Sequence, residues 1–505
     1  MSVEVKRNKG LVIRSAIPIE NKTWENWNAQ IHIFPNAIFE PSTLEDLIDI
    51  VKLAKTNNKT IRCAAQGHTT SSLSITKNYL VVVTNLNKVT VQRHPKYGWT
   101  ATAEAGTSLS DFDNVIRNYD PPLTIDSATV YNTFRVSGVI ATGSHGAKSI
   151  MPDQLCSMKI VTSSGEVCEF SEEINETEFN AAKLNLGLLG IIYSVTFRVQ
   201  PMYNLRLTDK FIPNNEWLNP KNIKNLLESS DAIGINYFPF NGFNQSDPNS
   251  LDPNRDQIWI KYWVRTDEPV SFTQQQLEQS RKSQRQGAIQ QYELRRSLIQ
   301  NSEATPNISA KLWNDLTSKG NTSFVYQAPD AIHYVVSEEG VKFYVMELAF
   351  KVSPDFSNVI TEYFFIMELL YDFARKGKFP INMPVEFRFI KSSEALLSIT
   401  FNKDPEELYC FVNIMTVPGT PNWEEFTQLI AQRLFDKYKA KPHWAKEWEF
   451  IPNVTSYLSE VLSDQIKQFE KVRAKYDPDK MFFDNKSLQD IFSKSLDSQN
   501  GKDQN

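Results

Sequence analysis

No run in this chain approaches the ~20 consecutive apolar residues that a membrane-spanning helix needs, so no transmembrane segment is expected. Cysteine is scarce: Cys63, Cys156, Cys168 and Cys410 are the only four, and no two form a CxxC pair. That leaves no disulfide framework and no zinc centre, so no metal site is expected, and a reducing compartment fits. An excess of positive charge is missing as well. Lys and Arg number 54 against 59 Asp and Glu, a formal net charge of -5, which argues against nucleic acid or an anionic membrane as the main partner. A small-molecule substrate is the better expectation. The opening MSVEVKRNKGLVIRSAIP carries basic residues but an apolar run too short for a signal-peptide core. The expected location is therefore cytoplasmic, or peripheral to an intracellular membrane, and not secreted. No internal repeat is evident.

What is present is ordinary globular composition, 41% hydrophobic and 22% charged, in 505 residues, which is too long for one compact core. Two domains follow. In the first, short strands and helices alternate, an α+β pattern. The helix STLEDLIDIVKLAKTNN has Ser42 or Thr43 at its cap and Leu44, Leu47, Ile48 and Val51 at helical spacing. Strands are predicted over Thr60 to Ala64, Tyr79 to Val83, Trp99 to Ala103, Gln154 to Thr162 and Ile191 to Val199. A second helix is predicted over Thr107 to Asn118, with Leu109, Phe112, Val115 and Ile116 inward. From about residue 205 to 450 aromatic-rich strands (Ile258 to Val264, Phe343 to Phe350, Val385 to Ile390, Leu408 to Ile414) alternate with helices. Gln274 to Leu298 is a polar surface helix or mobile excursion, Val454 to Ala474 is helical, and the polar residues from Ser493 onward read as a frayed tail.

Three glycine-rich stretches fall within the first domain. Arg62 to Ser72, RCAAQGHTTSS, lies between two strands and sets Gln66, Gly67, His68, Thr69, Thr70 and Ser71 where backbone N–H groups and hydroxyls can turn toward an anion such as a pyrophosphate. An ordinary surface turn would use the same residues. Ser137 to Gly146, SGVIATGSHG, interleaves Ser137, Gly138, Thr142, Gly143, His145 and Gly146 with apolar residues, which lets backbone approach a flat or charged ligand closely. The third, LGLLGIIYSVTFRVQP, places Gly187 and Gly190 before Ile191 and Ile192. Any one could be a tight turn; three in one unit favour a shared ligand.

Three separated segments match one family. RCAAQGHTTSS resembles its Gly-Gly-Gly-His-Ser loop, SGVIATGSHG its Gly-Thr-Gly-His-Gly loop, and PHWAK (Pro442 to Lys446) its His-Trp-x-Lys motif. The family is that of the aldonolactone oxidases, which includes the L-gulonolactone and D-arabinono-1,4-lactone oxidases. It implies the two-domain vanillyl-alcohol-oxidase-type fold, with a PCMH-type FAD-binding domain over 26–203, a substrate or cap domain over 204–450, and a C-terminal segment, 451–492, that returns to the FAD domain before a disordered tail, 493–505. The resemblance implies FAD as cofactor, held by the three glycine stretches. His68 matches the histidine that many members join covalently to the flavin's 8α methyl group. The sequence departs from the pattern at Gln66, where glycine is usual, and at Thr69-Thr70, where Ser-Pro is common.

The activity implied is oxidation of a secondary alcohol on a sugar lactone or polyol, with hydride passing to the flavin and then electrons to oxygen or another acceptor. In MPVEFRFI, strand alternation sets Val385, Phe387 and Phe389 on one face and Glu386 and Arg388 on the other. A carboxylate and guanidinium so placed can bind a polyol hydroxyl; an exposed ion pair is the plainer alternative. Lys446 is the third charged candidate, with His443 and Trp444 shaping the substrate pocket and His145 packing among glycines against the cofactor. His32, His94 and His333 have no supporting context. Counting back from Gly138 reaches Thr129, where oxygen-using members resemble one another in carrying glycine and a plant dehydrogenase of the family carries alanine; a branched side chain there is expected to hinder oxygen. An alditol, oligosaccharide or sterol oxidase is an alternative reading, and so is a binding protein that keeps the fold without catalysis.

Overall fold

The computed structural model describes residues 17–247, 249–335 and 340–500, so most of the basic N-terminal stretch lies outside the described residues. In chain order the principal elements of the N-terminal half are β1 (Ala37–Phe39), α1 (Leu44–Thr56), β2 (Ile61–Ala64), β3 (Tyr79–Val82), β4 (Val89–His94), β5 (Gly98–Glu104), α2 (Leu109–Arg117), α3 (Val136–Ala141), β6 (Leu155–Val161), β7 (Val167–Ser171) and β8 (Ile191–Arg198). Helix α1 begins at Thr43, whose hydroxyl accepts from the Asp46 N–H at 3.1 Å while the Asp46 carboxylate accepts from the Thr43 N–H at 3.0 Å. It buries Leu47, Ile50, Val51 and Ala54. Strands β1, β3 and β2 make a parallel three-stranded sheet in that order. An antiparallel five-stranded sheet, in the order β7-β6-β8-β5-β4, stands beside it.

Two expectations need correction here. Val115 is 42% exposed, because α2 turns Leu109, Phe112 and Ile116 inward and leaves Val115 on its flank. The stretch from Ser137 is not all loop: Val136–Ala141 is helical, and the glycines that follow end it.

The second half is built on one antiparallel sheet of eight strands. Its elements are β9 (Asn204–Pro213), β10 (Ala232–Tyr237), β11 (Gln257–Thr266), α4 (Gln274–Ser297), β12 (Thr322–Gln327), β13 (Tyr344–Lys351), α5 (Ser357–Arg375), β14 (Val385–Lys391), β15 (Leu408–Thr416), α6 (Trp423–Tyr438) and β16 (Lys441–Pro442). The strand order is β12-β9-β11-β10-β14-β15-β13-β16. Helix α5 covers one face, where Tyr363 packs on Phe387 with ring centroids 5.4 Å apart. Period-two alternation then sends Glu386 and Arg388 of β14 to the other face.

The closing helices are α7 (Val454–Val461), α8 (Ser463–Tyr476) and α9 (Lys486–Asn500), so the single helix expected from Val454 to Ala474 is broken at Leu462. Helix α9 also continues past Ser493, where a frayed tail was expected, and 501–505 lie outside the described residues. Before α9 the chain lies against β2: the Ile61 N–H donates to Met481 O at 2.9 Å, and Arg62 donates through Nη1 to Phe482 O at 2.9 Å.

Candidate active site

A cavity of about 1010 Å³ lies between the glycine stretches and the open face of the eight-stranded sheet. Its walls include residues 62–70, parts of 129–145, the turn at 186–192, and side chains from β10, β13, β14, β15 and the 443–446 segment. Each wall is held by contacts distant in sequence. Gly67 adopts φ +74°, and a side chain there would sit 2.8 Å from the Trp24 ring. Trp27 donates its indole N–H to His68 O at 3.1 Å, and Asn26 donates to Thr69 O at 3.0 Å. The Thr70 N–H donates to Ala445 O at 2.9 Å and the Ser71 hydroxyl donates to Trp444 O, so the first glycine stretch and the His-Trp-Ala-Lys stretch, 375 residues apart, form one wall.

Of the expected cofactor contacts, Gln66, Gly67, His68, Thr69, Thr70, Thr129, Ser137, Gly138, Thr142, His145, Gly190, Ile191 and Ile192 line the cavity. Ser71, Gly143 and Gly146 do not, and each has another task. Ser71 ties the loop to Trp444. Gly143, at φ +70°, would drive a side chain to 2.4 Å from Leu184 Cδ1, and one at Gly146 would meet Ala128 O at 2.4 Å, so both are packing glycines. Trp444 is also absent from the lining; it is 1% exposed and donates its indole N–H to Leu397 O at 2.8 Å. The expected substrate contact at Trp444 is therefore replaced by a structural one, because the side chain turns into the core while its neighbours His443 and Lys446 face the cavity.

The His68 ring lies between Trp27 and Phe134, with centroids 5.5 and 4.6 Å away. Burial, then the positive charges of Lys446 and Arg135, lowers its pKa to about 4, so the imidazole is neutral at pH 7. Gln66, the departure from glycine, accepts from Arg135 Nε at 3.2 Å.

On the sheet wall, Arg388 Nη2 donates to Glu386 Oε2 at 2.7 Å; the side chains are 11% and 6% exposed, so the pair is buried rather than at the surface. Burial opposes charge on Arg388, but the adjacent Glu386 carboxylate keeps its pKa above the usual range. The pair uses Oε2 and leaves Oε1 of Glu386 without a protein partner among the described residues. Deeper on the same wall, Glu347 of β13 stands between two histidines. His145 Nε2 lies 3.2 Å from Glu347 Oε1 and its Nδ1 lies 2.9 Å from Gly146 O. Burial alone would raise Glu347, yet His145, His443 and Lys446 hold it well below the usual carboxylate range. Burial lowers His443 to about 3.

The ligating atoms of His145, Glu347 and His443 lie within 4.8 Å of one another. His443 Nδ1 accepts from the Ala445 N–H at 3.1 Å, which puts the proton of the neutral ring on Nε2, so the trio suits shared protons better than a metal ion. Of the histidines without context, His333 is an internal partner of Asp113 at 2.9 Å, and His32 and His94 lie near Glu25 and Glu173.

Sequence reasoning missed Tyr131, Tyr334, Asn236, Asn413 and Glu347 of this wall, all in the lining. Burial raises Tyr131 to about 12. A polar residue on the same strand face as a site residue was the available signal: Asn236, Glu386, Asn413 and Glu347 are direct cross-strand neighbours in one row. Arg62 was read only as a strand residue at the start of the first glycine stretch, yet it is 3% exposed and donates to the carbonyls of Leu73, Leu186 and Phe482 at 2.8, 2.8 and 2.9 Å. It ties two cavity walls to the C-terminal segment.

A family model described as D-arabinono-1,4-lactone oxidase matches residues 195–490, and one described as FAD binding domain matches 35–171. The chain belongs to the D-arabinono-1,4-lactone oxidase family. It is 26% identical to the L-gulonolactone oxidase of Scyliorhinus torazame over 92% of this chain and 96% of that one. It is 31% identical to the D-arabinono-1,4-lactone oxidase of Yarrowia lipolytica over 44% of this chain and 41% of that one. A third relative, the L-gulono-1,4-lactone dehydrogenase of Mycobacterium tuberculosis, is 23% identical over 91% of this chain and 96% of that one. Among solved structures the fold matches cholesterol oxidase from B. sterolicum, with a TM-score of 0.75 at 17% identity, over 97% of this chain and all of that one. The family membership makes this chain an FAD-dependent oxidoreductase with the vanillyl-alcohol-oxidase-type α+β fold.

The cavity suits FAD on its own chemistry. Gly138 lines it, and a side chain added there would meet nothing within 4 Å, so the absent Cβ leaves open room against the α3 backbone. The Ser74 and Thr133 hydroxyls in the same lining are buried without a partner and are free to bond a polar ligand.

Proposed function

We propose that this protein oxidises a secondary alcohol of a sugar-derived lactone, an aldono-1,4-lactone, at the wall formed by Glu386 and Arg388, with FAD joined covalently through His68. Bound FAD supplies the hydride acceptor. The observation that carries this reading is the buried Glu386–Arg388 pair on the open sheet face, opposite the glycine stretches, in a chain 26% identical to an L-gulonolactone oxidase along nearly its whole length.

Residues 66–70, Ser137, Gly138 and 190–192 hold the cofactor in this reading. Oε1 of Glu386 accepts the hydrogen bond of the reacting hydroxyl and takes its proton as the carbonyl forms. Arg388, kept charged by Glu386, holds Oε2 in place and presents its remaining N–H groups to negative charge that develops during the reaction. Lys446 adds a second cation to the cavity lining. His443, neutral because it is buried, offers no competing charge. A neutral His68 imidazole, packed between Trp27 and Phe134, is nucleophilic and oriented, which is the state that a bond to the flavin requires. The partners in this reading, a sugar lactone and an electron acceptor, are small molecules; a peripheral membrane location and the identity of that acceptor belong to this proposal as well.

The test is anaerobic mixing of purified protein with a set of aldono-1,4-lactones, an alditol and a sterol while the flavin absorbance near the visible maximum is followed. Bleaching by a lactone supports the assignment. A protein that binds no flavin, or one bleached only by the sterol, contradicts it.

A further inference from the structure

Two amides flank Glu386 in the cross-strand row. Asn236 of β10 and Asn413 of β15 are its direct neighbours on either side. Asn236 is 7% exposed and its Nδ2 has no hydrogen-bond partner; Asn413 Oδ1 is likewise buried and unpartnered. Neither side chain makes any hydrogen bond to the described residues, although both line the cavity. An orphaned buried amide costs stability, so two of them beside one carboxylate point to partners that come with the ligand. Neighbouring strands stand about 4.8 Å apart, so the row offers amide, carboxylate and amide at intervals of that size. A chain of hydroxylated carbons can present oxygens at comparable intervals. An apolar alcohol with one oxygen would leave both amides unsatisfied. The terminal torsion of Asn is broad, so either end of each amide can turn toward the cavity.

We infer that Asn236 and Asn413 are specificity-determining substrate contacts, holding oxygens on either side of the reacting hydroxyl and so selecting a polyhydroxylated molecule. This rests on the reading of Glu386 as the contact for that hydroxyl. Asn236 Nδ2 donates to one substrate oxygen, and Asn413 Oδ1 accepts from a hydroxyl on the other side.

The experiment compares wild type, Asn236→Leu and Asn413→Leu on an aldono-1,4-lactone and on its mono-deoxy analogues, each lacking one ring or side-chain hydroxyl. Flavin reduction and the melting temperature of the flavin-loaded protein are both read. Each substitution is expected to lower kcat/KM for the full lactone by about 10- to 100-fold. It should have little effect on the one analogue that lacks the oxygen it holds, and leave the melting temperature unchanged or raised because an orphaned amide is removed. Equal loss on every analogue, or no loss on any, overturns the inference while leaving the lactone reading intact. A wild type that reduces its flavin with a monohydric alcohol and with no lactone overturns both.

Discussion

His68 is a half-buried imidazole whose environment disfavours the proton, and this makes its chemistry testable without substrate. The flavin is expected to stay with the polypeptide after acid precipitation, whereas His68→Ala should release whatever flavin it binds; release from wild type would show that no bond forms. Thr129 presents a second single-residue question. It is 5% exposed, lines the cavity and donates its hydroxyl to Tyr131 O at 2.7 Å, which fixes the side chain in one orientation. Relatives named oxidase and dehydrogenase both resemble this chain, so family membership alone does not name the acceptor. Thr129→Gly should speed reoxidation of the reduced protein by dissolved oxygen by about tenfold or more if the side chain blocks oxygen's approach, as its branched bulk suggests. Identical rates in a rapid-mixing oxygen experiment would remove Thr129 from that role.

At the scale of elements, α1, α2, α4 and strands such as β2, β3, β5, β6, β8, β11, β14 and β15 were legible because their periodicities are local, whereas β4, β7, β9, β10 and β12 carried no expectation. MPVEFRFI announced a two-faced strand, and β14 turns Glu386 and Arg388 together to the open side of the sheet. What was not legible depends on contacts between remote segments. Nothing near Trp444 in sequence says that its indole meets Leu397 O, nor does RCAAQ reveal that Arg62 binds three carbonyls from three segments. The glycines divide for the same reason: Gly138 faces open space, whereas Gly143 faces Leu184, a residue more than a strand away. Gly143→Ala is accordingly expected to destabilise the fold by ~2 kcal/mol or more, from a left-handed backbone and a clash at 2.4 Å, while Gly138→Ala should leave stability nearly unchanged and weaken cofactor binding. Thermal melts of the two variants, with flavin content measured in each, separate the roles; equal destabilisation would contradict the division.

For the whole molecule, burial of charge in the cavity wall couples folding to pH. His443 has its pKa lowered to about 3 in the fold, against about 6.5 in an unfolded chain. Between those values the unfolded chain binds the proton and the folded one does not, so this contribution is full above pH 6.5 and is lost as pH falls toward 3. His443→Asn should make the dependence of unfolding free energy on pH shallower by about 1.4 kcal/mol per unit between pH 6 and 4. An unchanged slope in denaturant titrations would show that His443 does not carry it. The central claim concerns the wall where three segments meet, and the most direct measurement is the rate of anaerobic flavin reduction by an aldono-1,4-lactone in Glu386→Gln, Arg388→Ala and Lys446→Ala beside wild type. The account predicts that each variant keeps its flavin and reduces it about 10²- to 10³-fold more slowly; rates within threefold of wild type in Glu386→Gln and Arg388→Ala would contradict it.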